Sequence, residues 1–111
     1  MAVERIQVID EAGATATVTS KAYPVLSPLL AVHVDVSTIN SGTITLDVTV
    51  EYSADGQNWC APASAQAVAQ ITTETTESAQ FTPEGAMFRL VATVGGSSPD
   101  FDFTATAIFI A

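Results

Sequence analysis

Hydrophobic and polar residues alternate along most of this chain with a period of two. From Thr43 to Tyr52, the side chains of Ile44, Leu46, Val48, Val50 and Tyr52 fall on one face, with Thr43, Thr45, Asp47, Thr49 and Glu51 on the other. Successive side chains of a strand point to opposite faces, so this alternation marks a strand with one buried side. Leu30, Val32, Val34 and Val36 alternate with Ala31, His33 and Asp35 in the same way, and Phe88, Leu90, Ala92 and Val94 make a third such run. Ile6 and Val8 mark a first strand, and Ala14 to Val18 a weaker second one. Shorter candidates are Asn58 to Ala61, Ala67 to Thr72 and Glu77 to Thr82.

The last run, Phe101 to Ile110, departs from the pattern. Phe101, Phe103, Ala105, Ala107 and Phe109 share one face, but Ile108 and Ile110 put apolar groups on the other. A strand end apolar on both sides is covered by a loop or docked against another chain.

Turn residues separate these runs. Asn40-Ser41-Gly42 suits a hairpin, and Asp55-Gly56 offers a glycine for the positive φ that a tight hairpin turn demands. Pro83-Glu84-Gly85 and Gly95-Gly96-Ser97-Ser98-Pro99 are further breaks. Tyr23-Pro24-Val25-Leu26-Ser27-Pro28 holds two prolines and reads as an extended loop. The Ala-rich stretch Ala61 to Ala69 is the one helix candidate, but Pro62 and the Thr-rich residues after it favour loop and strand. The reading is an all-β, antiparallel β-sandwich or jelly roll of about eight strands. It forms one domain over residues 1–111, a length that buries enough apolar surface to fold without metals or disulfides.

Charge narrows the partners. The chain has 12 acidic and 3 basic side chains, for a net charge of −9. Nucleic acid and anionic membranes need cations to displace their counterions, so both are poor partners. Charged residues are only 14% of the chain, which leaves much neutral surface that is cheap to dehydrate. Met1 to Val8 lack the basic start and apolar core of a signal peptide, and no apolar run reaches membrane-spanning length. With one cysteine, no internal disulfide can form, and synthesis in a reducing cytoplasm is expected.

Candidate chemistry is sparse. His33, the sole histidine, lies on a polar strand face and reads as a surface or interface residue rather than a general base. Cys60 has no cationic neighbour in sequence to form a thiolate and reads as a small buried residue. Asp55 and Asn58 are turn residues, and Asp100 and Asp102 a charged strand face, since no calcium-loop spacing surrounds them. Glu74 to Glu77 reads as a solvated loop, and Gly95-Gly96 lacks the Lys-Ser/Thr of a phosphate loop. No catalytic, metal or cofactor-binding residue is assigned, and no cofactor is expected. Trp59, close after Tyr52, reads as one half of a cross-strand aromatic pair.

The segment Val50 to Trp59 carries the pattern Ser-x-Asp-Gly-x-x-Trp after a strand. It resembles a hairpin of discoidin-type carbohydrate- and lipid-binding jelly rolls, and also hairpins in small β-sandwich proteins of tailed-phage virions. The whole chain, short, acidic, cysteine-poor and rich in Thr, Ala and Val, is similar in style to head- or tail-associated phage structural proteins. That resemblance implies a non-enzymatic virion protein, most naturally a decoration or cement subunit on a capsid lattice. Its partners would be the major capsid protein or other virion proteins, with homo-oligomers in the assembly. It would be made in the host cytoplasm and located in the virion. The contact regions expected are the proline loop, with Tyr23, Pro24, Val25, Leu26, Pro28 and Leu29, and the strand end Ile108, Phe109 and Ile110. Two alternatives are a tail or spike component and a carbohydrate-binding module with Tyr52 and Trp59 as its sugar platform.

Overall fold

The structure, a computed structural model, describes residues 3–110. Its strands are β1 (Val3–Ala14), β2 (Val18–Thr19), β3 (Tyr23–Pro24), β4 (Leu30–Ser41), β5 (Thr45–Ser53), β6 (Thr76–Phe81), β7 (Met87–Gly95) and β8 (Asp100–Ile110). No helix occurs among the described residues. One sheet has the order β1-β8-β4-β6. In the other, β7 is flanked by β2 and β3 along one side and by β5 along the other. Every pairing is antiparallel. Beyond β5 the segment 60–71 touches the sheet through single bridges at Cys60, Ala67 and Ile71. The chain thus crosses repeatedly between two facing sheets in the strand order of a jelly roll.

The alternation places the core where the sequence puts it. Leu30, Val32, Val34 and Val36 of β4, Leu46, Val48, Val50 and Tyr52 of β5, and Phe88, Leu90 and Ala92 of β7 are all buried. Phe101, Phe103, Ala105, Ala107 and Phe109 of β8 join them. All five phenylalanines are in this core, so its volume is filled mainly by rings. Phe101 and Phe103 stack at 5.4 Å, and Phe88 meets Phe109 edge to face at 5.6 Å across the two sheets.

Several boundaries differ from the sequence reading. The first strand runs on to Ala14, past two irregularities in its register with β8, so the expected second strand shrinks to Val18–Thr19. Tyr23 and Pro24, expected in a loop, pair with Phe88 and Met87. Asn40-Ser41-Gly42 does not close a hairpin. Both edges of β4 are taken, by β8 and β6, so β5 joins the opposite sheet beside β7.

The two strands expected around 58–61 and 67–72 are reduced to bridges. Tyr52 and Cys60 exchange two backbone bonds of 2.9 Å, and continuing that ladder would set Val50 opposite Pro62. Proline has no N–H to donate, so the ladder stops there and the chain bows away until Val68 N–H reaches the Val48 carbonyl at 3.0 Å.

Tyr52 is 3% exposed, and its hydroxyl donates to Gln66 Oε1 at 2.7 Å. Burial, then the nearby Glu84 charge, push its phenol from the ordinary 10.0 up to about 12. Because the folded value is raised, the stabilisation is fully present below pH 10 and is lost as pH rises from there towards 12. A spectrophotometric titration of tyrosinate absorbance should show one ring ionising at about 12, with the melting temperature falling between pH 10 and 12. A Tyr52→Phe variant should lose that pH dependence.

Candidate functional site

The proline loop and the end of β8 form one structure. Tyr23 packs its ring on Phe88 at 5.9 Å, and Val25 N–H donates to the Ala86 carbonyl at 2.9 Å. Past this anchor the loop turns along the last strand. Ile110 N–H donates to the Leu29 carbonyl at 3.2 Å. Ser27 Oγ lies 2.8 Å from the Leu29 carbonyl and 3.0 Å from the Ile110 carbonyl, bracing the loop against the strand. The strand end that is apolar on both sides is thus covered along one edge by a loop of the same chain.

This arrangement sorts the expected contact residues. Pro24 at the end of β3 and Leu26 and Pro28 in the loop are exposed, and Leu26, at 49%, is the large exposed hydrophobic among the described residues. Tyr23, Val25, Leu29, Ile108 and Ile110 are half-buried. Phe109 does not belong with them. It is 2% exposed and packs on Phe88 in the core, because its neighbours Ile108 and Ile110 take the outward positions of the strand.

No family model matches this chain, and no curated protein does. Solved structures do. A structure of infectious bursal disease virus, Gx strain, superposes on 96% of the chain with a TM-score of 0.61 at 15% identity. This chain spans about a third of that viral chain, 32% of its length. The SPBc2 prophage-derived protein YomS matches nearly end to end, with 98% of this chain and 96% of the other covered, at a TM-score of 0.53 and 9% identity. A Clostridium thermocellum xylanase structure holding CBM22-1 and GH10 modules matches over 96% of this chain and 25% of its own, at a TM-score of 0.52 and 16% identity. What is shared is the β-sandwich.

The Ser-x-Asp-Gly-x-x-Trp segment proves to be a self-sufficient loop. Asp55 Oδ1 accepts bonds from the backbone N–H groups of Gln57 and Asn58 at 2.9 Å and from Ser53 Oγ at 2.9 Å. Asn58 Nδ2 donates to Asp55 Oδ2 at 2.7 Å, and Gly56 N–H donates to Ser53 Oγ at 2.8 Å. The Asn58 and Gln57 amides hold the Asp55 carboxyl well below the usual carboxylate range. The motif's polar residues are therefore spent on shaping the turn.

Its aromatic residue faces away from the core. Trp59 is half-buried, with the Arg89 guanidinium 4.4 Å from its ring centroid. Arg89 in turn bonds Glu51 at 2.8 Å, the residue opposite it in the β5–β7 register. The expected Tyr52–Trp59 pair does not form, since Tyr52 points inward and Trp59 outward. A buried Tyr52 offers no ring face to a sugar, so the two residues do not make a common platform. Cys60, expected to be buried, is exposed, because the edge beyond its single bridge carries no further strand. Asp100 and Asp102 accept bonds of 3.1 Å from Asn40 Nδ2, and Asp102 also takes Gly13 N–H at 2.8 Å, tying the ends of β1, β4 and β8.

One grouping was not read from the sequence, in which His33 stood only as a surface or interface residue and Ile108 only as part of the strand-end contact. On the outer face of the β1-β8-β4-β6 sheet, Arg5, Gln7, His33, Thr106 and Ile108 line a cavity of about 550 Å³. The register brings them together, with Gln7 opposite Thr106, Thr106 opposite His33, and Arg5 opposite Ile108. Each lies on the outward half of its strand's alternation, but their adjacency depends on β8 lying between β1 and β4.

Proposed function

We propose that this protein is a non-enzymatic structural subunit of a virion, a decoration subunit that docks on a phage capsid lattice through its proline loop. The observation that carries the reading is the exposed tip with Leu26 and Pro28, which follows the exposed Pro24 of β3 and is braced by Ser27 against the final strand. A braced apolar tip loses little entropy on docking, and burying the exposed half of Leu26 contributes about 1 kcal/mol. That is modest for one subunit, but repeated copies on a symmetric shell add through multivalency. The end-to-end likeness to a prophage-derived chain of similar length supports the same reading. The net charge of −9 would keep free subunits apart and decorated particles dispersed.

Co-sedimentation with undecorated shells tests it. The wild-type chain should pellet with shells, and Leu26→Asp should bind at least about tenfold more weakly while melting at an unchanged temperature, since the side chain is already in water. Equal binding by both would remove the loop from the interface, and no binding by either would remove the proposed role.

A further inference from the structure

Basic side chains, cationic or imidazole, are scarce in this molecule, and two of the four meet at one place. Three side chains are Lys or Arg and one is His. Arg89 is held by Glu51 and Trp59, and Lys21 sits in the exposed turn between β2 and β3. Arg5 and His33 are left, twenty-eight positions apart in sequence, and both line the 550 Å³ cavity on the outer face of the first sheet. Both are exposed, so their donors are open to a ligand. The Gln7 amide and the Thr106 hydroxyl stand in the same cavity, and Ile108 supplies an apolar wall.

We propose that this cavity binds the carboxylate of an acidic side chain from a partner protein. Arg5 and His33 would hold the oxygens, Gln7 and Thr106 would donate from the side, and the methylene stem would lie on Ile108. Charge complementarity sets the ligand class. In a chain of net charge −9, a spot lined by the Arg5 guanidinium, by the N–H donors of His33 and Gln7, and by no acid attracts a monoanion. Asp35 of β4 and Asp10 of β1 flank the adjacent row of the sheet, both paired in register with Thr104 of β8. They disfavour a dianion such as phosphate. The positions of β8 and β6 that face His33, namely Thr104, Thr106, Ser78 and Gln80, carry no charge. The proposal rests on the virion role only for who supplies the carboxylate.

The test uses isotope-labelled full-length protein and the methylamide of N-acetylglutamate, with its side-chain carboxylate free. The glutamine analogue serves as the control. The Arg5 and His33 side-chain resonances should shift saturably with the glutamate compound, and at least about tenfold more weakly with the glutamine compound. Arg5→Gln and His33→Gln should each weaken binding severalfold, with melting temperature unchanged because both side chains are exposed. Equal response to the two compounds, or an unaltered response in the Arg5→Gln/His33→Gln double variant, would overturn the site. Tighter binding of glucuronate than of the glutamate compound would overturn the protein partner. Saturable glutamate binding without shell capture would leave the site standing and remove the lattice role, and Leu26-dependent shell capture with no glutamate response would do the reverse.

Discussion

Phe88→Ala lowers stability by about 3–5 kcal/mol and the melting temperature by roughly 12–20 °C. Phe88 is fully buried in β7, the central strand of its sheet. It meets Phe109 of the opposite sheet at 5.6 Å and Tyr23 of the proline loop at 5.9 Å. Removing the ring therefore opens a cavity between the sheets and unseats the loop anchor together. Total stability for a domain of this size is about 5–15 kcal/mol, so the variant is left marginal. Phe88→Leu keeps most of the volume and should cost about 1.5 kcal/mol or less. Thermal and urea unfolding of the three proteins checks the order, and a loss below about 1 kcal/mol for the alanine variant would contradict the packing described.

Gly96→Ala should be nearly as damaging, for a different reason. Gly96 has φ +109°, and a Cβ added there would stand 2.1 Å from the Thr43 carbonyl oxygen. The turn after β7 and the entry to β5 are locked together at this point. Thr43 N–H donates to the Ser97 carbonyl at 3.1 Å, and Ser97 N–H to Thr43 Oγ1 at 2.9 Å. The methyl group must push two backbones apart, so conformational strain and overpacking add to about 2–5 kcal/mol. Gly56 separates the two contributions. It has φ +79° but open space around its Cβ position, so Gly56→Ala should cost only the conformational part, about 1–2 kcal/mol. Equal melting temperatures for the two variants would show that the Gly96 clash relaxes freely.

The candidate surfaces were legible to different degrees. The proline loop was visible because prolines and an uncompensated leucine stand out in any sequence. Ile108 and Ile110 were visible because they break an alternation. Phe109 was misplaced by treating the apolar strand end as one patch, although the same alternation already sends its ring inward. The Arg5–His33 cavity was invisible, since His33 was read by itself as a surface or interface residue and nothing local in the sequence sets Arg5 beside it. Cys60 and the Tyr52–Trp59 pair were misjudged because a hairpin reduced to one bridge does not orient residues beyond it.

By itself the sequence determined which side chains are buried in most strands, because a pleated strand sends alternate residues to opposite faces whatever its neighbours are. It also determined the acidic, cation-poor surface, which is a matter of counting. Only the tertiary structure decided which strands are neighbours. Pairing is set by which edges remain free, so β4, flanked on both sides, could not take β5. That same order inserted β8 between β1 and β4 and so brought the distant Arg5 and His33 to one cavity. Alternation is a local property of the backbone, whereas adjacency is a property of the whole packed domain.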